Sequence, residues 1–188
     1  MIRAILVLAV PALVACGDNA QGPLTYTNPT PCTAMCLIRA GTPTASSITL
    51  AWVVGDEALT GYSTGFDLPI DVSKVQLAAF TPGSALPAGD SSSAAAATIV
   101  TSGVLAGDLV VAQSQKASGA GAVTTDAVLA AHTVLLTFQL DLAGTTNGIV
   151  FDGTAQDFHL PSGGLRNRAG LTVVTSDQVA IGKLEVKR

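Results

Sequence analysis

The chain has 188 residues, nine Lys and Arg against thirteen Asp and Glu for a formal charge of -4, with 12% charged, 4% aromatic and 48% hydrophobic residues. No basic run occurs, which excludes the clustered Lys and Arg that nucleic-acid phosphates demand. After residue 16, Gly, Pro, Thr or Asp interrupts every apolar run, so no later stretch has the length of a spanning helix. The balance is that of an exported globular domain.

In chain order, Met1 and Arg3 form a small positive region, and residues 4–14 are an apolar run too short to span a bilayer as a mature helix. Small Ala15 precedes Cys16, and polar Asp18, Asn19 and Gln21 follow at once. Leu13-Val14-Ala15-Cys16 resembles the lipobox of bacterial lipoproteins. That resemblance implies cleavage after Ala15 and a lipidated Cys16 carrying palmitate-type chains, each buried methylene contributing roughly 0.8 kcal/mol. Gly17 rather than Asp after the cysteine favours the outer over the inner membrane under the same resemblance. The competing reading is an ordinary secretory signal with a chance cysteine. The expected division is a signal over residues 1–15, a lipidated N-terminus and flexible tether over 16–42, and one domain over 43–188. The tether is expected from Gly, Pro, Asn and Thr between residues 17 and 31. The part left after the signal suits a single domain.

Cys32 and Cys36, in Pro31-Cys32-Thr33-Ala34-Met35-Cys36, form an even pair in an oxidising compartment, most simply a disulfide closing a tight loop. The spacing is not the C-x-x-C of a redox pair. A zinc site would need two more ligands, and the candidates, His132 and His159, are isolated.

Strand-type segments follow. Residues 47–54 alternate, with Ile48, Leu50 and Trp52 on one face, which places Trp52 in the core. Residues 62–70 put Tyr62, Phe66 and Leu68 together, and Pro69 marks an end or edge. Val75, Leu77 and Ala79 form another face before the turn Thr81-Pro82-Gly83-Ser84. Residues 84–97 read as a low-complexity surface loop. Residues 95–101 and 104–112, separated by Ser102-Gly103, predict a hairpin. Thr124 is placed to cap a short helix reaching Ala131. Residues 134–142 alternate through Val134, Leu136, Phe138 and Leu140, and strands are expected at 149–151, 171–174 and 179–186. Many short strands without alternating helices predict an all-β sandwich with at most one short helix.

Gly61-Tyr62-Ser63-Thr64-Gly65 matches G-x-S-x-G, which acts as a nucleophile elbow only where a strand turns sharply into a helix. Here Phe66-Asp67-Leu68-Pro69-Ile70 continues as a strand, so a serine hydrolase is a remote alternative and Ser63 is expected at the solvent-facing side of a sheet. His132 and His159 read as boundary residues with partly packed rings. Asp126, Asp141, Asp152 and Asp157 lie in or near turns, where such residues bond their own backbone. They lack the spacing of a calcium loop, which leaves loop oxygens as the route to that ion. Gly119-Ala120-Gly121 lacks the third glycine and the βα context of a dinucleotide site. No catalytic residue, metal ligand or cofactor is assigned.

The segment from Gly61 through Leu68-Pro69-Ile70 to Phe80-Thr81-Pro82-Gly83 is similar to the cohesin pattern of an aromatic and Asp before a turn and a strand ending in P-G. Val128-Leu129-Ala130 with Leu135-Leu136-Thr137-Phe138-Gln139-Leu140 resembles that family's G-x-L-A-x-I-x-F-x-V, with Val128 where a glycine is expected and His132 inside the segment. Residues 179–186 resemble its closing strand. The likeness runs from about Pro43 to Val186 and implies a jelly-roll-like β-sandwich related to carbohydrate-binding modules. It further implies a non-catalytic, membrane-anchored recognition or scaffolding module with a dockerin-like protein partner, or alternatively polysaccharide. One Trp, two Tyr and five Phe are few for sugar stacking, which favours protein.

Overall fold

The computed structural model describes residues 23–86, 97–100, 107–115, 122–153 and 164–188, with only the backbone of 97–100. Cys16 and the whole signal, residues 87–96 of the low-complexity stretch, Gly119-Ala120-Gly121, Asp157 and His159 lie outside these residues.

The described residues form fifteen short strands. These are β1 (Leu24–Thr27), β2 (Met35–Arg39), β3 (Ser47–Val54), β4 (Leu59–Gly61), β5 (Ser63–Pro69), β6 (Val75–Pro82), β7 (Ala97–Val100), β8 (Asp108–Ser114), β9 (Ala127–Leu129), β10 (Val134–Leu142), β11 (Gly148–Asp152), β12 (Leu165–Arg166), β13 (Thr172–Val174), β14 (Val179–Ala180) and β15 (Lys183–Val186). Among the described residues one 3-10 turn spans Ser176–Gln178. Two five-stranded sheets, β14-β2-β3-β10-β6 and β13-β12-β5-β8-β7, make the sandwich. The set β1-β15-β11 and the pair β4-β9 complete it. All pairings are antiparallel except β14 with β2.

Period-two alternation builds the core. Ile48, Leu50, Trp52 and Val54 of β3 face Phe66 and Leu68 of β5 and Leu109 and Val111 of β8, all buried. Trp52 and Phe138 from one sheet meet Phe66 from the other, with ring centroids 4.9 Å (Trp52–Phe66) and 6.0 Å (Phe66–Phe138) apart. The predicted burial of Trp52 and the all-β class are as observed.

Several local expectations need correction. The stretch 16–42 is not all tether: β1, the disulfide and β2 fall inside it. Tyr26 anchors this part, since its hydroxyl donates to the Leu37 carbonyl at 2.8 Å and accepts from the Gly182 amide at 2.8 Å. The Gly- and Pro-rich composition concealed two short strands, of which β1 buries Leu24 and Tyr26 and β2 buries Met35, Cys36 and Leu37. The helix expected from Thr124 is instead the strand β9, pairing with β4, because three residues gain more from a sheet partner than from one helical turn. β7 and β8 pair antiparallel with Val100 beside Val110, and Ser102-Gly103, the expected turn, lies outside the described residues. Bulges also reset two faces. In β10 Leu135 is buried and Val134 is exposed; in β6 Phe80 rather than Ala79 turns toward the core.

Candidate binding face

The two five-stranded sheets differ on their outer sides. On the first, alternation aims Ala51 and Val53 of β3 and Cys36 of β2 away from the main core, yet all three are buried. The loop closed by the Cys32–Cys36 disulfide, with Cα atoms 5.6 Å apart, folds back over them. Cys32, Ile38, Ala40 and Ala180 complete a small second apolar cluster there. Backbone bonds seat the loop: Gly55 N–H donates to Ala34 O at 2.7 Å, and Asp56 N–H donates to Cys32 O at 3.0 Å and Thr33 O at 2.9 Å. A Cβ at Gly55 would collide with the carbonyls of Cys32 and Thr33, so only glycine allows this approach.

On the outer side of the second sheet Gly65 is buried and Ser63, Asp67, Pro69, Asp108, Val110, Ala112 and Ser114 are half-buried, and no apolar cluster like that on the first sheet forms there among the described residues. This side is laid out in register as Arg166 beside Ser63, Ser63 beside Ser114, Gly65 beside Ala112, Asp67 beside Val110 and Pro69 beside Asp108. These side chains are small and mostly uncharged. Gly65 lets β5 lie close to β8, since a Cβ there would stand 2.8 Å from Val111 O. Arg166 stands at the edge of this side, its Nη1 donating to Gly170 O at 3.0 Å.

Buried polar bonds hold this sheet from beneath. Trp52 Nε1–H, from the opposite sheet, donates to Thr64 Oγ1 at 2.8 Å, and Thr64 Oγ1 donates to Gly164 O at 2.5 Å. Gln113 Nε2 donates to Gly83 O at 2.8 Å and Leu86 O at 3.2 Å, and Gln115 Nε2 donates to Gly61 O at 3.3 Å. Tyr62 donates to Val123 O at 2.8 Å. Sequence reasoning did not single out Thr64, Gln113 or Gln115. The available signal was a polar residue at an inward register position: Thr64 lies between Tyr62 and Phe66 on one face, and Gln113 follows Leu109 and Val111.

Ser63 lies on the outer side of β5 while Phe66 is fully buried, the opposite placement expected from alternation. The chain runs on as a strand after Ser63, so the strained strand-to-helix turn of a nucleophile elbow is not formed. His132 sits elsewhere, with Nε2 4.0 Å from Asp56 Oδ1. Its ring is not partly packed as expected: the side chain is 75% exposed, on a backbone with φ of 62°. Its amide donates to Val54 O and Gly55 O, which fixes that turn. Asp126 accepts from the Arg168 amide and Asp141 from Gln139 Nε2. No group of three or more His, Cys, Asp or Glu that could hold a metal occurs among the described residues.

Away from this face, three titrating groups are shifted. The Lys74 ammonium, with Ser73, holds the Asp71 carboxyl below its usual range. Lys183 and Lys187 do the same for Glu185. Burial pushes the Tyr26 phenol upward, so it stays a neutral donor. Of the aromatic rings, Trp52, Tyr26, Tyr62, Phe66, Phe138 and Phe151 are buried and Phe80 is half-buried. Phe158 lies outside the described residues. None of the described rings offers an exposed platform on the sheet.

No protein-family model matches the sequence, and no curated protein matches it. Among solved structures, the cohesin of a Clostridium acetobutylicum dockerin–cohesin complex matches with a TM-score of 0.50 at 10% identity, covering 79% of this chain and 97% of that one. The same cohesin in solution matches at 0.41 and 12% identity over 63% of this chain and 72% of that one. The sixth cohesin of Acetivibrio cellulolyticus scaffoldin B, in complex with a mutant dockerin, matches at 0.46 and 13%, covering 79% and 95%. The first of these alignments spans nearly a whole cohesin, and the fold of this chain is a cohesin-like jelly-roll β-sandwich.

Proposed function

We propose that this domain is a non-catalytic protein-recognition module whose partner docks on the outer side of β12, β5 and β8. The observation that carries the reading is the cohesin-like fold combined with an outer sheet side made of small, half-buried side chains. The cohesin with TM-score 0.50 was solved with a dockerin, and the notched, small-residue face Ser63–Gly65–Ala112–Ser114 is of the kind a protein chain can approach closely. A dockerin-like partner is the occupant this reading names. Polysaccharide fits less well, because sugar rings stack on exposed aromatic planes and the described rings face inward. In the same reading Cys16 carries lipid and holds the module at the cell envelope, at the outer rather than the inner membrane.

The test is capture from the source envelope with residues 18–188, in parallel with a Val110→Arg variant. Val110 is a half-exposed outer position at mid-sheet, so a long charge there should block docking without touching the core. Capture of a protein with paired calcium loops by the native chain, reduced at least tenfold by Val110→Arg, is expected. Capture indifferent to Val110→Arg, or released by soluble glycan, overturns the face or the class of partner. Chemical analysis of Cys16 checks the anchor separately: a fatty-acid label must be present on the native chain and lost in Cys16→Ser.

A further inference from the structure

The corrected start of the domain shortens the tether, and with it the freedom of the module. Only six residues, 17–22, separate Cys16 from Pro23, whose carbonyl already accepts from the Lys187 amide at 2.7 Å. Seven residue steps span at most about 25 Å even when fully extended. A nine-residue strand such as β10 is about 30 Å long. The end of the sandwich that carries Pro23 is therefore the end nearest the anchor.

Backbone and side-chain bonds define what else is at that end. Leu24 pairs with Val186, and Val186 with Gly148. Arg188 Nη2 donates to Gly144 O at 2.5 Å, and the Ala143 amide donates to Lys74 O at 2.8 Å. This gathers the turn at 71–74, the loop at 143–148 and residues 186–188 around the point where the chain leaves. Two exposed large apolar side chains stand here, Val72 at 46% and Ile149 at 49%. Lys74 pairs with Asp71, while Lys183 and Lys187 share the one carboxylate of Glu185, so with Arg188 the named groups leave positive charge in excess at this end. Cationic side chains beside exposed apolar ones suit an anionic headgroup layer, and the Lys stems can reach past it to the phosphates.

We propose that this end of the sandwich rests on the phospholipid surface, with Val72 and Ile149 entering the headgroup layer. The proposal relies on the reading that Cys16 is lipidated. Two apolar residues alone bind lipid weakly, so the anchor supplies the local concentration and the contact sets the orientation. The proposed docking face, whose strands run from this end to the far one, then stands upright from the membrane.

The experiment uses the full lipidated chain in phosphatidylethanolamine–phosphatidylglycerol vesicles with brominated acyl chains. Tryptophan is placed singly at Val72, at Ile149, or at Val128 and Leu171 of the opposite end, while buried Trp52 gives the constant background. Expected are flotation with the vesicles, at least twofold bromine quenching at positions 72 and 149, and none at 128 or 171. Flotation without quenching at either near position overturns the resting contact and leaves the lipid reading standing. Failure of the native chain to float, or flotation unchanged by Cys16→Ser, removes the lipid reading and this proposal with it.

Discussion

The outer sides of the two large sheets are made of similar residues and used differently. Ala51, Val53 and Cys36 line one; Ser63, Gly65, Ala112 and Ser114 line the other. Side-chain size therefore does not distinguish them. What does is the apolar cluster on the first, where Cys32 of the stapled loop packs on Cys36, Ala51 and Val53, while the small outer side chains of the second stay half-buried outside any such cluster among the described residues. Small residues on a sheet back let another backbone approach closely. One back accepts a segment of the same chain, and in the proposed reading the other accepts a segment from a partner.

That contrast can be broken most forcefully at Gly55. A methyl there has no room beneath the Cys32 and Thr33 carbonyls, so the stapled loop must lift and expose the apolar cluster below it. Overpacking of this kind costs about 2–3 kcal/mol. Denaturant unfolding of Gly55→Ala should show that loss, together with faster exchange of the Asp56 amide. An unchanged midpoint would mean that the loop does not need its seat.

Removing the staple tests the same face more gently. The closed loop is short, so its entropic constraint is worth about 2 kcal/mol. Cys32→Ser with Cys36→Ser should lower unfolding stability by about that much, and thiol labelling of the denatured, unreduced native chain should find both cysteines blocked. Two reactive thiols would reopen the redox and metal readings set aside above.

Between the faces, Thr64→Val cuts the link between the sheets. The substitution keeps the shape but removes the hydroxyl that accepts from Trp52 Nε1–H and donates to Gly164 O, at about 1–2 kcal/mol. A change in Trp52 fluorescence should accompany the loss. If stability holds and the emission is unchanged, the bond between the sheets is not what fixes the indole.

How much of this was legible depended on which forces act locally. Alternation named the inward residues of β3 and β5, and with them Trp52 and Phe66, because a period of two is written directly in the side chains. The Cys32–Cys36 pair was legible from spacing and compartment. β1 and β2 were not, since Tyr26 is fixed by Leu37 and by Gly182, a partner 156 residues away that no local pattern reveals. The faces of β6 and β10 were misjudged because a bulge shifts alternation without changing composition. The roles of the two outer sheet sides were invisible for a related reason: small outer residues look the same in sequence whether a loop covers them or not.

The smallest expected effect belongs to Ser63, and it separates a recognition face from a catalytic one. A nucleophile needs a strained turn, a histidine within hydrogen-bond reach and an oxyanion hole. Ser63 instead opens a regular strand, beside Ser114 and Arg166, while His132 contacts Asp56. Truncating it removes one hydroxyl from a half-exposed position, so Ser63→Ala should leave stability within about 0.5 kcal/mol of the native chain. Partner affinity should change as little, because serine is under-represented among the residues that dominate interfaces. A fluorophosphonate probe should label neither protein, and ester turnover should match the buffer. Stoichiometric labelling of the native chain that vanishes in Ser63→Ala would falsify the recognition-module reading and put a hydrolase in its place, with the flat face of β5 and β8 as the floor of its substrate site.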